Sequence, residues 1–145
     1  MTKIKPIETM FDGLMYRSKL EACWAAFFKN LGIWFEYEPE GFDLDGRNYL
    51  PDFLLPEIRD GLWIEIKPKW DQAASELCSR LHRATGDEVV MLCGSPSTVI
   101  LEHKNACGWM TSKDTLFVGL VTFRNYLRGF QDYEIEKAAI DAHHV

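Results

Sequence analysis

Three charged residues stand in otherwise apolar surroundings: Asp52 in "YLPDFLL", then Glu65 and Lys67 in "LWIEIK". A charge on a strand destined for burial is expensive unless it is paired or ligated. If Leu55 closes the first strand and Leu62 opens the second, antiparallel pairing sets Leu55 opposite Leu62, Phe53 opposite Ile64 and Asp52 opposite Glu65. Directly opposed residues share a face, with Cβ atoms roughly 4.5–5.5 Å apart. Lys67 follows on that face, while Leu62, Ile64 and Ile66 point to the other side and can pack on a helix. A tight turn at Asp60-Gly61 is the competing arrangement; it sets Glu65 opposite Pro56 and takes the constellation apart.

Two opposed carboxylates repel, and a hard cation with oxygen ligands removes the conflict. Mg²⁺ is usually held by one or two carboxylates, completed by water and phosphate oxygens. Such an ion polarises a phosphodiester and lowers the pKa of a bound water. Lys67 is placed to orient or deprotonate that water, or to stabilise charge on the phosphate. The pattern therefore points to hydrolysis of phosphodiesters. The blander alternative makes Asp52 a turn former and Glu65–Lys67 a surface ion pair.

The flanking sequence must position these groups. "YRSKLEACWAAFFKNLG" carries Leu20, Trp24, Phe27, Phe28 and Leu31 at helical spacing, with Ser18 as N-cap and Gly32 as stop. "IWFEYEPEGFDL" alternates as a strand, Asp45-Gly46 turns, and "RNYLPDFLL" returns. After "LWIEIK" comes a helix, "DQAASELCSRLHRATG", capped by Asp71 and ended by Gly86, then the short buried strand "EVVMLCG". Strand, helix and strand in that order predict a parallel crossover. Beyond Gly94, "STVILEH" and "TLFVGLVTF" read as strands and "DYEIEKAAIDAHH" as a closing helix. The expectation is one α/β domain with a mixed sheet.

Length and charge bound what such a domain does. A chain of 145 residues suits one domain with a real core. It has no apolar run long enough to span a bilayer and no signal-peptide pattern. Cys23, Cys78, Cys93 and Cys107 form no CxxC pair, which predicts reduced thiols in a cytoplasmic protein. The net charge is −6, and residues 36–65 hold nine acidic residues against Arg47 and Arg59. Binding DNA by charge alone needs Lys and Arg, so a divalent metal is the natural offset to this acidic patch.

Pro51-Asp52 and Glu65-Ile66-Lys67, on a hairpin between a helix and a strand–helix–strand unit, resemble the PD-(D/E)xK nuclease superfamily with its restriction-endonuclease-like fold. From Tyr16 to about Gly94 the order is similar to that superfamily's αβββαβ core, and residues about 95–145 form a C-terminal extension. "RSKLEACWAAFFKNLGIWFEYEPEGF" also resembles small phage and prophage members. The resemblance implies Mg²⁺- or Mn²⁺-dependent cleavage of DNA. Asp52 and Glu65 would be metal ligands, the Ile66 carbonyl a further ligand and Lys67 the catalytic lysine. Many members add a glutamate from the first helix, and Glu21 occupies that place.

Glu21 has a second reading, since Ser18-Lys19-Leu20-Glu21 is an S-x-x-E capping box. Glu36, Glu38 and Glu40 alternate and read as one solvated strand face, with Glu40 a reserve candidate for a second metal. Lys69 and Arg83 are candidates to contact the DNA backbone beside the metal. Trp63 and Trp70 flank the site, where a base could stack on them. The histidines show no metal-ligand spacing with the carboxylates. Three functions compete: an active DNA endonuclease, a nuclease-fold binding or inhibitory module acting on a host protein, and a resolvase-like homodimer on branched DNA. Nothing in the sequence separates DNA from RNA.

Overall fold

The computed structural model of the chain describes residues 6–102, 106–112 and 115–145. An N-terminal hairpin, β1 (Thr9–Phe11) and β2 (Leu14–Tyr16), turns at Asp12 and Gly13, both with positive φ. Positive φ at both central residues is the requirement of a two-residue type I′ turn. Helix α1 (Lys19–Asn30) follows, its first turn capped by the Ser18 hydroxyl, which accepts from Glu21 N–H. Gly32 takes the left-handed conformation just beyond it.

Each of the two strands expected over residues 33–55 is broken in two. β3 (Glu36–Tyr37) stops at Glu38, whose φ is +47°, and β4 (Phe42–Leu44) starts beyond Pro39 and Gly41. β4 pairs with β5 (Arg47–Tyr49) about the Asp45-Gly46 turn as a small separate ribbon. Pro51, which has no N–H to give a ladder, separates β5 from β6 (Phe53–Leu55). The break at Glu38 also ends the alternation, so Glu36, Glu38 and Glu40 do not line one continuous strand face.

β6 pairs antiparallel with β7 (Leu62–Lys67) through Phe53–Ile64, Leu54–Trp63 and Leu55–Leu62. This is the register expected from the spacing. The tight Asp60-Gly61 turn does not form; a longer loop is held by Ile58 N–H to Leu55 O and Gly61 N–H to Ile58 O. Helix α2 (Gln72–Thr85), capped by Asp71 and closed by Gly86 at φ +77°, leads to β8 (Glu88–Cys93), parallel to β7.

Beyond Gly94 two features differ from expectation. Residues 96–101 form a short helix, α3 (Pro96–Leu101), rather than a strand. Ser95 caps it and Pro96 sits at its first position, where a missing N–H does no harm; Pro96, Val99 and Ile100 are buried. β9 (Ala106–Ser112), which the sequence pattern did not reveal, pairs antiparallel with β8 and with β10 (Thr115–Leu120). A short 3₁₀ turn at Phe123–Tyr126 leads to α4 (Asp132–Asp141), the expected closing helix, and a second at Ala142–His144 follows.

The fold is mixed α/β, with a six-stranded sheet in the order β10-β9-β8-β7-β6-β3. One face, through Phe53, Leu62, Ile64, Ile66, Val90 and Leu92, buries α1, α3 and α4; Trp24, Phe27 and Phe28 are fully buried there. The other face, through Trp63, Val89 and Met91, covers α2 and the β4–β5 ribbon. A cross-link ties the layers at one end: Gly94 N–H donates to Lys67 O at 2.8 Å, and Trp24 Nε1 donates to Gly94 O at 2.9 Å. Among the described residues, no helix is long and apolar enough to cross a membrane, and all four cysteines are buried free thiols.

Candidate functional site

The carboxyl end of β7 meets the N-terminal turn of α1, and α2 starts five residues beyond Lys67. Strand carboxyl ends are where open α/β sheets place ligands, and helix N-termini favour nearby negative charge. The expected charged groups gather at this edge.

Asp52 stands one step beyond the Phe53–Ile64 pair, which brings it to Glu65. Its Oδ2 accepts the Ile66 N–H at 2.7 Å. Burial, reinforced by the Glu65 charge and a hydrogen bond between the two carboxyl groups, raises its pKa well above the ordinary carboxylate range; the Ile66 N–H and Lys67 only partly counter this. Glu65 is 5 % exposed, and its Oε2 accepts the Tyr49 hydroxyl at 2.8 Å. Tyr49 in turn lies 3.7 Å from the Cys78 thiol of α2. Burial raises the pKa values of Tyr49 and Cys78 far above normal, and Glu65 adds to both. Tyr49 therefore remains a neutral donor, fixing the rotamer of Glu65.

Glu21 resolves into more than a helix cap. Its N–H donates to Ser18 Oγ at 3.1 Å, but its carboxylate takes the Ser18 hydroxyl at 2.6 Å and the Tyr37 hydroxyl at 2.9 Å. The reciprocal bond of a closed capping box, from Glu21 back to the Ser18 N–H, is not among these contacts. Glu21 is 8 % exposed, and burial followed by the Asp52 charge raises its pKa. Three acidic groups thus run in sequence, Glu21 to Asp52 to Glu65, each held by a neutral hydroxyl or backbone donor.

Lys67 is half-buried and in no ion pair among the described residues. It lines a cleft of about 410 Å³ with Glu21, Ile66 and Lys19. Lys69 is exposed just beyond it. Arg83 is elsewhere: the crossover runs α2 back toward the start of β8, so Arg83 lies roughly 16 Å along the helix from its first turn. There it shares a pocket with Arg80, Asp43 and Asp45. Of the two cations expected beside the carboxylates, Lys69 follows Lys67 at this edge and Arg83 lies toward the other end of α2. On the sequence expectation of a DNA partner, Lys69→Ala lowers the salt dependence of binding by about one phosphate contact, whereas Arg83→Ala leaves the slope unchanged; fluorescence anisotropy over a salt series separates the two.

Glu40 is exposed. Trp63 is buried, donating to Asp87 at 3.2 Å, and so offers no stacking face; Trp70 is 51 % exposed. His82 is buried against the Asp87 carbonyl, His143 contacts Ser97, and His103 lies outside the described residues.

Sequence reasoning missed Tyr49 and Tyr37. Neither belongs to a motif; strand pairing and the chain bend at Glu38 carry their hydroxyls to the carboxylates. Tyr49→Phe keeps the ring and removes the donor to a buried carboxylate. The expected cost is about 1–3 kcal/mol of stability, read by chemical denaturation.

Among the described residues, no three His, Cys, Asp or Glu side chains are gathered closely enough to cage an ion by themselves. The donor set still suits a small hard cation that takes one or two carboxylates and completes its shell with water and phosphate. Apart from the hydrogen bond the two carboxyl groups share, Asp52 accepts from the Ile66 N–H and Glu65 from the Tyr49 hydroxyl. Comparison with protein-family models, curated proteins and solved structures finds no match for this chain.

Proposed function

We propose that the protein is a divalent-metal-dependent nuclease that hydrolyses DNA phosphodiester bonds as an endonuclease, on a restriction-endonuclease-like αβββαβ core. One observation carries this reading: Asp52 and Glu65 are brought together at a strand end, at the expense of the Asp52 charge, with Lys67 next along β7. A structural ion pair would have set the lysine against a carboxylate instead of two carboxylates against each other.

Asp52 and Glu65 would hold Mg²⁺ or Mn²⁺, with the Ile66 carbonyl as a further donor and Glu21 acting on the set through Asp52. When bound, such a cation polarises the phosphodiester and makes water beside it more acidic. The chain's own contribution is positional. The Ile66 N–H fixes Asp52, Tyr49 fixes Glu65, and the Tyr37 and Ser18 hydroxyls fix Glu21. Lys67 offers its ammonium group at the cleft, to orient the attacking water or to neutralise charge gathering on the phosphate oxygens.

The test is incubation of purified protein with supercoiled plasmid and with linear duplex and single-stranded DNA, in Mg²⁺, Mn²⁺ or EDTA, with Lys67→Ala alongside. The expected result is metal-dependent cutting that falls on the order of 10²-fold or more in the variant. Failure of the folded protein to cut any of these DNAs would turn the assignment toward a binding module for a host protein. Cutting confined to branched DNA by a dimeric species would support the resolvase-like reading.

A further inference from the structure

We propose that the cleft beside Lys67 receives one unpaired nucleotide, so that the substrate is DNA with single-stranded character rather than continuous duplex. This deepens the nuclease reading and rests on it for where the scissile phosphate lies.

The cleft is bounded by Ile7, Leu20 and Pro68 and carries Lys19, Glu21 and Lys67. Its volume of about 410 Å³ falls within the roughly 300–1,000 Å³ of clefts that take single small ligands. Ile7 is 76 % exposed at its rim, and Pro68 is exposed as well. Trp70, 51 % exposed, presents a second flat apolar surface three residues beyond Lys67, at the same end of the sheet. Single exposed apolar residues need no explanation. Ile7 and Pro68 exposed at one cleft beside Lys67 and Glu21, with Trp70 exposed outside its lining at the same end of the sheet, form a group that does.

An apolar cleft wall offers little to a base already stacked on both faces in a duplex, and extracting that base carries an unstacking penalty. An unpaired base has its faces free for apolar and aromatic side chains. The charge distribution points the same way. Tracking a duplex needs several phosphate contacts by Lys or Arg. Here the net charge is −6, and the nearby cations are Lys19, Lys67 and Lys69, with Arg80 and Arg83 toward the far end of α2. Lys19 and Lys67 enter no ion pair among the described residues, which suits one or two phosphates of a single strand. Stacking then supplies affinity that charge does not.

Three labelled DNAs of one sequence test this with the full chain in Mn²⁺: single strand, duplex, and duplex bearing an unpaired arm. Ile7→Ser and Trp70→Ala are compared with the unaltered protein, thermal midpoints confirming that both variants fold. The expected result is a kcat/KM at least about 10-fold higher for DNA with an unpaired segment, with each variant pulling that ratio toward one. Duplex cut as fast as single strand, or variants that leave the ratio unchanged, would overturn the proposal while the nuclease reading survives. A binding arm needs no hydrolysis: anisotropy with Asp52→Asn protein and the same DNAs. Tighter binding of the single strand, weakened on the order of 10-fold by adding Ile7→Ser and Trp70→Ala together and measurably by Ile7→Ser alone, without cutting by the unaltered protein, would uphold the cleft assignment and overturn the hydrolase. Absence of both binding and cutting overturns both.

Discussion

Asp52→Asn is expected to give a metal-free protein that is more stable than the parent and inactive as a nuclease. Asparagine keeps an acceptor for the Ile66 N–H and replaces the like-charge contact with an amide donor to Glu65. Opposed like charges on paired strands are destabilising by amounts on the order of 1 kcal/mol, so the gain is a few degrees in Tm for a chain of this size. Divalent metal inverts the order. An ion that binds the native state at 100 times its Kd adds about 2.7 kcal/mol; the parent gains this and the variant, lacking one of two carboxylates, gains little. Differential scanning fluorimetry in EDTA and in Mn²⁺ reads both halves. A variant less stable than the parent in EDTA would mean that the carboxylate pair is not a source of strain, and the reason for assigning it a cation would go.

The same pair sets an unusual pH dependence. The native Asp52 carboxyl holds its proton to higher pH than the unfolded one, and Glu21 is shifted the same way. Between the ordinary carboxylate range and the raised native value, the native state binds more protons than the unfolded chain. Stability therefore falls as pH rises through that window; the contribution is fully present below the unfolded pKa and lost above the native one. In EDTA the parent should lose Tm relative to Asp52→Asn as pH rises from about 4, the ordinary carboxylate value, through the raised native one. Metal binding displaces the retained proton, so affinity should rise with pH over the same window. Calorimetry in buffers of differing ionisation enthalpy would count the proton released. A parent-minus-variant Tm difference that is flat or rises with pH would contradict the raised Asp52 pKa.

What the sequence disclosed about this edge was local chemistry. Ser18, Asp71 and Gly86 mark their helix ends by side-chain type alone, and Leu62, Ile64 and Ile66 declare the face of β7 by alternation. The Asp52–Glu65 juxtaposition followed from loop length plus alternation, without any knowledge of the remaining sheet. The misreadings share a different cause. Val99 and Ile100 are β-branched and look like strand residues, but Ser95 and Pro96 ahead of them, and burial spaced at Pro96, Val99 and Ile100, were the helix signal. The N-terminal hairpin carries an Asp12-Gly13 turn, yet three-residue strands are too short to show alternation. Tyr37 and Tyr49 reach their carboxylates from short strands beside two breaks, at Glu38 with its positive φ and at Pro51. Pro51 is a visible breaker, but where the bends carry the two hydroxyls depends on the pairing of distant strands, which no window of sequence contains.

The Trp24–Gly94–Lys67 cross-link has a consequence for how the edge can move. Lys67 is pinned through its own carbonyl to Gly94, and Gly94 to the indole of α1, the helix that also carries Glu21 in its first turn. Glu65, two residues back on β7, is locked to the ribbon by Tyr49. Lysine and carboxylates are thus tied, among the described residues, to one hydrogen-bonded frame that joins β7, the Gly94 turn, α1 and the ribbon. On the nuclease reading proposed above, a frame held in this way would leave it to the substrate strand, rather than to the protein, to adjust its shape at the site.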